Sequence, residues 1–255
     1  MEPLEAELER AGALDERALA DAIESIGFEC TRCGACCKAV DGCGDDTNGA
    51  GDDAPDHGDA NDHDDTHDHG DAHDHVATVF PDEIRRLQES GTGEQSYDWR
   101  DVARPMPYGL TEGESGFEGE TFEWSLQTDD CGDCTFYAED EQADGNGGRC
   151  TVHDDRPLVC RTYPFSVALG GTSQPMGEAV DEEGMVRAHE CEGLGRDISR
   201  TEAERLAAAL KERAVRELEE AIAVRDSYEP AAVGTGDVVV HDSEGAKGPD
   251  GSPRE

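Results

Sequence analysis

The run Cys30-x2-Cys33-x2-Cys36-Cys37 places four thiols within eight residues, and it constrains the fold of this 255-residue chain more than any other feature. Thiolates two residues apart can converge on one soft cation, and four sulfur ligands are what zinc or an iron–sulfur cluster requires. The run does not complete such a site alone. Adjacent side chains diverge in most backbone conformations, so Cys36 and Cys37 suit two metals, or two sides of one cluster, better than one tetrahedral ion. The first three cysteines repeat the gaps of a bacterial four-iron loop, but no Cys-Pro follows at the usual distance. Further ligands must arrive from downstream, where Cys134, Cys150, Cys160 and Cys191 are available. Eight thiolates then make two four-cysteine sites or one multinuclear centre. Thiols buried without metal would leave the clustering unexplained.

Charge bounds the rest. The chain carries 62 acidic and 21 basic residues, a net charge of −41, and only Lys38, Lys211 and Lys247 are lysines. Leu, Ile, Val and Phe make up about 15% of the chain, below the roughly 20% expected of folded proteins. Disorder is one reading of that balance. The other is an acidic, lysine-poor surface that stays hydrated where concentrated salt screens its self-repulsion. Periodic apolar segments, two tryptophans and the cysteines favour the second reading, which resembles proteins of extreme halophiles and implies a salt-rich cytoplasm. Such a surface repels nucleic-acid phosphates and anionic lipids. No apolar run reaches 18 residues, so no transmembrane helix is expected. Glu2, Glu5 and Glu7 follow Met1 directly, so no secretory signal is expected either. In a cytoplasmic protein ten cysteines read as metal ligands, with disulfides confined to pairs such as Cys131/Cys134.

Along the chain the pattern predicts an α+β, metal-organised domain with short antiparallel strands, an N-terminal helix and a long C-terminal helix. Residues 1–27 form the N-terminal segment, helical over 2–26, with Asp15 as an internal cap, Leu19, Ile23 and Ile26 on one face, and Gly27 as a left-handed stop. Residues 28–43 and 76–196 make the cysteine domain. Between them, residues 44–75 hold twelve aspartates and six histidines (His57, His63, His67, His69, His73 and His75) and lack large apolar side chains. This insertion is expected to be disordered, either as a loose metal-binding tract or as an acidic spacer. Val76 to Val79 predicts a strand and Pro81 a helix through Leu87, while 91–120 reads as loops. Strands are expected at Phe122–Leu126, Cys134–Tyr137 and Arg149–Val152, with edge strands at Phe165–Leu169 and Gly184–Val186. Residues 197–228 hold the last helix, with Thr201-x-x-Glu204 as its capping box and Leu206, Leu210, Leu218 and Ile222 on one face. It is expected to pack over the cysteine centre or against the first helix. Residues 229–255 read as a mostly irregular tail, with a possible strand at Val238–Val240.

Several separated motifs occur in one order: Phe28-x-Cys30-x2-Cys33-Gly34-x-Cys36-Cys37, Cys134-Thr135-Phe136, then Cys150-Thr151-Val152-His153-x2-Arg156-Pro157-Leu158-x-Cys160-Arg161-x-Tyr163-Pro164-Phe165, and Cys191-Glu192-Gly193. In this the chain resembles the CxxCxxCC family, the YkgJ-like cysteine-cluster proteins, described as zinc- or iron-chelating domains. The resemblance implies a metal-chelating domain, sometimes labelled an iron–sulfur protein or oxidoreductase, and no set reaction. The Asp/His insertion interrupts the family pattern. Cys43 and Cys131 fall outside it, each a free thiol, a substitute ligand or half of a redox pair.

The expected ligands are therefore Cys30, Cys33, Cys36, Cys37, Cys134, Cys150, Cys160 and Cys191. Pro157 and Pro164 stiffen the backbone around Cys160. Arg156 and Arg161 can donate to thiolates and offset their charge. His153 and His189 are read as neighbours of the site. Iron, as ion or iron–sulfur cluster, is favoured over zinc. The main reading is metal chelation, with any activity in a redox or protein partner. Electron transfer is the alternative, and a protein-modification role follows only from similar clusters in a flagellin lysine N-methylase. No nucleotide-binding or catalytic motif is present.

Overall fold

The computed structural model describes residues 3–39, 76–91, 96–113, 116–139, 148–169, 178–179, 185–231 and 233–254. The Asp/His tract and Cys43 lie outside them.

Two helices, not one, open the chain: α1 (Leu4–Gly12) and α2 (Glu16–Ile26). Asp15 divides them because its carboxylate accepts the Arg17 and Ala18 backbone N–H groups, satisfying donors that would otherwise be unpaired at the start of α2. Gly27 ends α2 at φ 73°, but its ψ of 143° turns the chain into extended backbone and not into the left-handed helical cap. The long helix α6 (Arg200–Ser227) lies across both, so it packs on the N-terminal helices as expected. Its N-cap is Ser199, which forms the capping box with Glu202, two residues earlier than the Thr201/Glu204 pair. Its buried stripe is largely alanine (Ala203, Ala207, Ala214) with Leu210 and Leu218, which permits close approach. Together with strands β8 (Phe165–Val167) and β10 (Val186–Ala188), these helices enclose a first core around Leu19, Ile23, Phe165 and Leu210. Each such side chain contributes about 2 kcal/mol by leaving water. In that sheet β10 is central, flanked by β8 and β9 (Glu178–Ala179).

A second core gathers Val79, Ile84, Leu87, Val102, Trp124, Leu126, Phe136 and Val240. Helix α3 (Pro81–Glu89) starts at its proline, as predicted. Strand β5 (Trp124–Leu126) sits between β1 (Thr78–Val79) and β2 (Ala103–Pro105), and it is buried throughout while Phe122 stays exposed. The stretch read as loops, 91–120, instead contains the short helix α4 (Trp99–Val102), β2, β3 (Leu110–Gly113) and β4 (Gly116–Thr121). Its glycines sit within a strand pair whose long-range partners supply the order that local composition lacks. Those partners come from β11 (Val238–Asp242), parallel to β4, and β12 (Gly245–Lys247), antiparallel to β11. The strand expected at Val238–Val240 is thus present and buried.

The hairpin also anchors the tryptophans. Asp242 accepts from Trp124 Nε1 at 2.8 Å and pairs with Lys247 at 2.8 Å, both charges being nearly inaccessible. Lys247 also meets Glu244 at 2.7 Å and lies over the Trp99 ring, which packs edge-on against Trp124. Removing one member of a buried pair strands the other charge. Asp242→Ala is expected to cost about 3 kcal/mol, measured by denaturant unfolding followed by tryptophan fluorescence. A loss below about 1 kcal/mol would mark the pair as solvent-screened.

Candidate metal centre

The first half of the centre is built where α2 ends. Phe28 forms an antiparallel bridge with Leu194, the Glu29 N–H donates to the Gly193 carbonyl at 3.0 Å, and the Gly195 N–H donates to the Gly27 carbonyl at 3.0 Å. These bonds lay the Cys191 segment beside the Cys30 segment. Gly193 is required by proximity, because a Cβ there would stand 2.3 Å from the Glu29 carbonyl oxygen. The chain then reverses through Arg32 (φ 57°) and Gly34 (φ 78°) into a 3-10 turn, Ala35–Cys37. That turn brings the Cys36 and Cys37 sulfurs to 3.9 Å, so the adjacent pair does not diverge as the general rule suggests.

The second half is attached to the same turn. The Cys134 N–H donates to the Cys37 carbonyl at 2.8 Å, and the Ala39 N–H donates to the Asp133 carboxylate at 2.8 Å. From Cys134 the chain enters β6 (Tyr137–Glu139), which pairs with β7 (Gly148–Cys150) so that Tyr137 stands opposite Cys150. Strand β6 starts three residues later than predicted, because Cys134 to Phe136 form a turn held by the Tyr137 N–H on the Cys134 carbonyl, and β7 starts one residue earlier. Cys160 lies on the short helix α5 (Leu158–Thr162). Buried Glu83 on α3 accepts the Leu158 N–H at 2.9 Å and fixes the start of that helix, and burial raises its carboxyl above the usual range. Beyond α5, the Tyr163 hydroxyl donates to the Glu190 carbonyl at 2.8 Å and the His189 N–H donates to the Pro164 carbonyl at 2.9 Å. The Pro164 segment is thereby joined to the residues leading into Cys191.

All eight predicted cysteines line one cavity of about 1190 Å³, lying between the two cores. All eight are free thiols. Among the described residues no three His, Cys, Asp or Glu side chains yet converge closely enough to hold an ion. The donor set fits a thiophilic metal in kind and number, and loading it requires the sulfurs to draw inward. The lining charge fits as well. Arg32, Lys38, Arg104, Arg156, Arg161 and Arg213 face it, against only Glu190 and Glu192, in a chain where acids outnumber bases about threefold. Four of those cations were not singled out from the sequence. Lys38, beside Cys37 in a chain with three lysines, was the available signal.

The thiols differ in acidity. The sulfur contact with Cys37 lowers Cys36 against the opposing effect of burial, and Arg156 adds to the lowering. The same contact, then burial, pushes Cys37 up. Burial pushes Cys134 up to about 12 and raises Cys150, Cys160 and Cys191 as well. Arg156 is held by its Nε donating to the His153 carbonyl at 2.9 Å and acts on Cys36, Cys150 and Cys160. Arg161, His153 and His189 line the cavity. Cys131 takes no part: it is disulfide-bonded, and none of the eight free thiols is its partner. The Cys131/Cys134 disulfide considered from the sequence is therefore not formed.

No helix among the described residues is long and apolar enough to cross a membrane. No curated protein and no solved structure matches the chain. One family does match, over residues 29–192, which is more than half of the sequence and spans all eight thiols of the cavity. With that match, the chain belongs to the CxxCxxCC family, described as a "Putative zinc- or iron-chelating domain".

Proposed function

We propose that the chain binds iron, most favourably as an iron–sulfur cluster, through Cys30, Cys33, Cys36, Cys37, Cys134, Cys150, Cys160 and Cys191. The supporting observation is eight free thiols on one cationic cavity in an acidic protein. Zinc is the competing metal, since the same thiolates satisfy it. The Cys30-x2-Cys33-x2-Cys36 spacing favours a cluster. A bound cluster would supply one-electron chemistry. The residues of the chain would hold it, with Arg156 and Arg161 offsetting thiolate charge and Tyr163 and Pro164 keeping the Cys160 and Cys191 segments together. Exposure of Cys30 and Cys36 favours exchange of electrons with a partner over chemistry on a sequestered substrate. The acidic surface supports work in a salt-rich cytoplasm.

Protein purified without oxygen is expected to be brown, with iron and sulfide in matching amounts. A colourless preparation with stoichiometric zinc would overturn the iron reading and leave the chelating site. Salt provides a second measurement: the melting temperature should rise between dilute buffer and molar KCl, as screening relieves the −41 charge.

Acidity supplies a third. Cys134 sits near 12 in the folded metal-free chain against about 9 when unfolded, so its contribution is fully present below pH 9. That stability is lost as pH rises towards 12, because the unfolded thiol ionises first. The melting temperature of metal-free protein should therefore fall more steeply from pH 9 upward than that of loaded protein, whose thiols have already lost their protons. Parallel curves would show that these thiols are not ligands.

A further inference from the structure

The eight thiols fall into two environments. Cys134 is part of the second core, and Cys37, Cys150 and Cys160 pack directly against it. Cys30, Cys33, Cys36 and Cys191 belong to neither core. Accessibility agrees at its extremes: the exposed thiols, Cys30 and Cys36, fall in the second group and the buried one, Cys134, in the first, while the other five are half-buried. So does the backbone. Cys37 and Cys134 are joined by a main-chain hydrogen bond, and Cys150 lies across from Tyr137, three residues past Cys134. Cys191 is instead tied to the Cys30 segment through Gly193 and Gly195.

We propose that the cavity holds two four-thiolate metal sites, an inner one of Cys37, Cys134, Cys150 and Cys160 and an outer one of Cys30, Cys33, Cys36 and Cys191, adjoining at the Cys36–Cys37 pair. This rests on the reading that the thiols bind metal. The 3.9 Å between Cys36 and Cys37 is close to the edge of a zinc–thiolate tetrahedron, about 3.8 Å for bonds of about 2.3 Å, so the distance alone would permit a shared ion. The partition by core, burial and backbone attachment assigns the two sulfurs to opposite sides. At each site four S–H bonds give way to four sulfur–metal bonds, and the protons pass to solvent. For a divalent ion, zinc or ferrous iron, nothing is oxidised or reduced. The inner site is walled by packed side chains and serves the fold. The outer one stands on a loop and a turn open to solvent, and its metal exchanges.

The test uses the full chain, loaded with zinc or, in the absence of oxygen, with ferrous iron. Cys191→Ser should retain half of the wild-type metal and fold normally. Wild type should release metal to a chelator in two phases of equal size, of which only the slow one survives in Cys191→Ser. Cys160→Ser should lose the slow half and much of the stability. If that variant does not fold, Cys191→Ser and the wild-type kinetics still decide. A Cys191→Ser chain that holds all of its metal or none overturns the partition, as does single-phase release from wild type. Wild type that takes up neither metal overturns the chelation reading itself, and the partition with it.

Discussion

The hydrogen bond from the Cys134 N–H to the Cys37 carbonyl joins two segments almost a hundred residues apart, and the centre is organised around it. It fixes the end of the cysteine-rich turn on the edge of the second core, against which Cys37 packs. A hydrogen bond contributes only about 1 kcal/mol net, so this one sets register more than it supplies stability. The apolar side chains behind it supply the stability, from Phe136 to Trp124. On the opposite side Gly193 lets the Cys191 strand approach the Cys30 strand closely. These two attachments set where the walls of the cavity stand.

Electrostatics separates the inside of this cavity from the outside of the protein. The surface is overwhelmingly acidic, yet the lining is cationic. Burial is what chiefly raises most of the thiols, and the mutual repulsion of thiolates concentrated in one place adds to it. Arginines on the lining and a metal cation relieve the same repulsion, so the two act together. Acidic residues on this wall would work against both.

How much of this was legible depended on whether the signal was local. The cysteine spacing, the Pro81 start of α3, the Asp15 cap and the periodicity of α6 are written in neighbouring residues, and the structure agrees with them. The eight thiols also meet at one cavity, although nothing local states which pairs with which. Misreadings fell where tertiary contacts override composition. The glycine-rich stretch before Glu120 became strands because β11 pairs with it. Phe122 is exposed although Trp124 and Leu126 are buried, since the strand begins at Trp124, two residues later than alternation predicts. The Cys36–Cys37 contact depends on left-handed backbone at Gly34, which a residue list does not reveal.

The parallel pairing of β11 with β4 joins residues 238–240 to residues 119–121 and closes the second core from far along the chain. Four cysteines rest against that core, and all of them precede β11 by at least 78 residues. Contacts of such sequence separation form late, because the loop entropy must be spent before the pairing returns anything. During synthesis the thiols are therefore complete before the wall behind them is. Metal that arrives early meets a flexible set of sulfurs, and metal that arrives late meets a rigid one, so the timing of delivery relative to closure of the hairpin becomes part of how the centre acquires its ion.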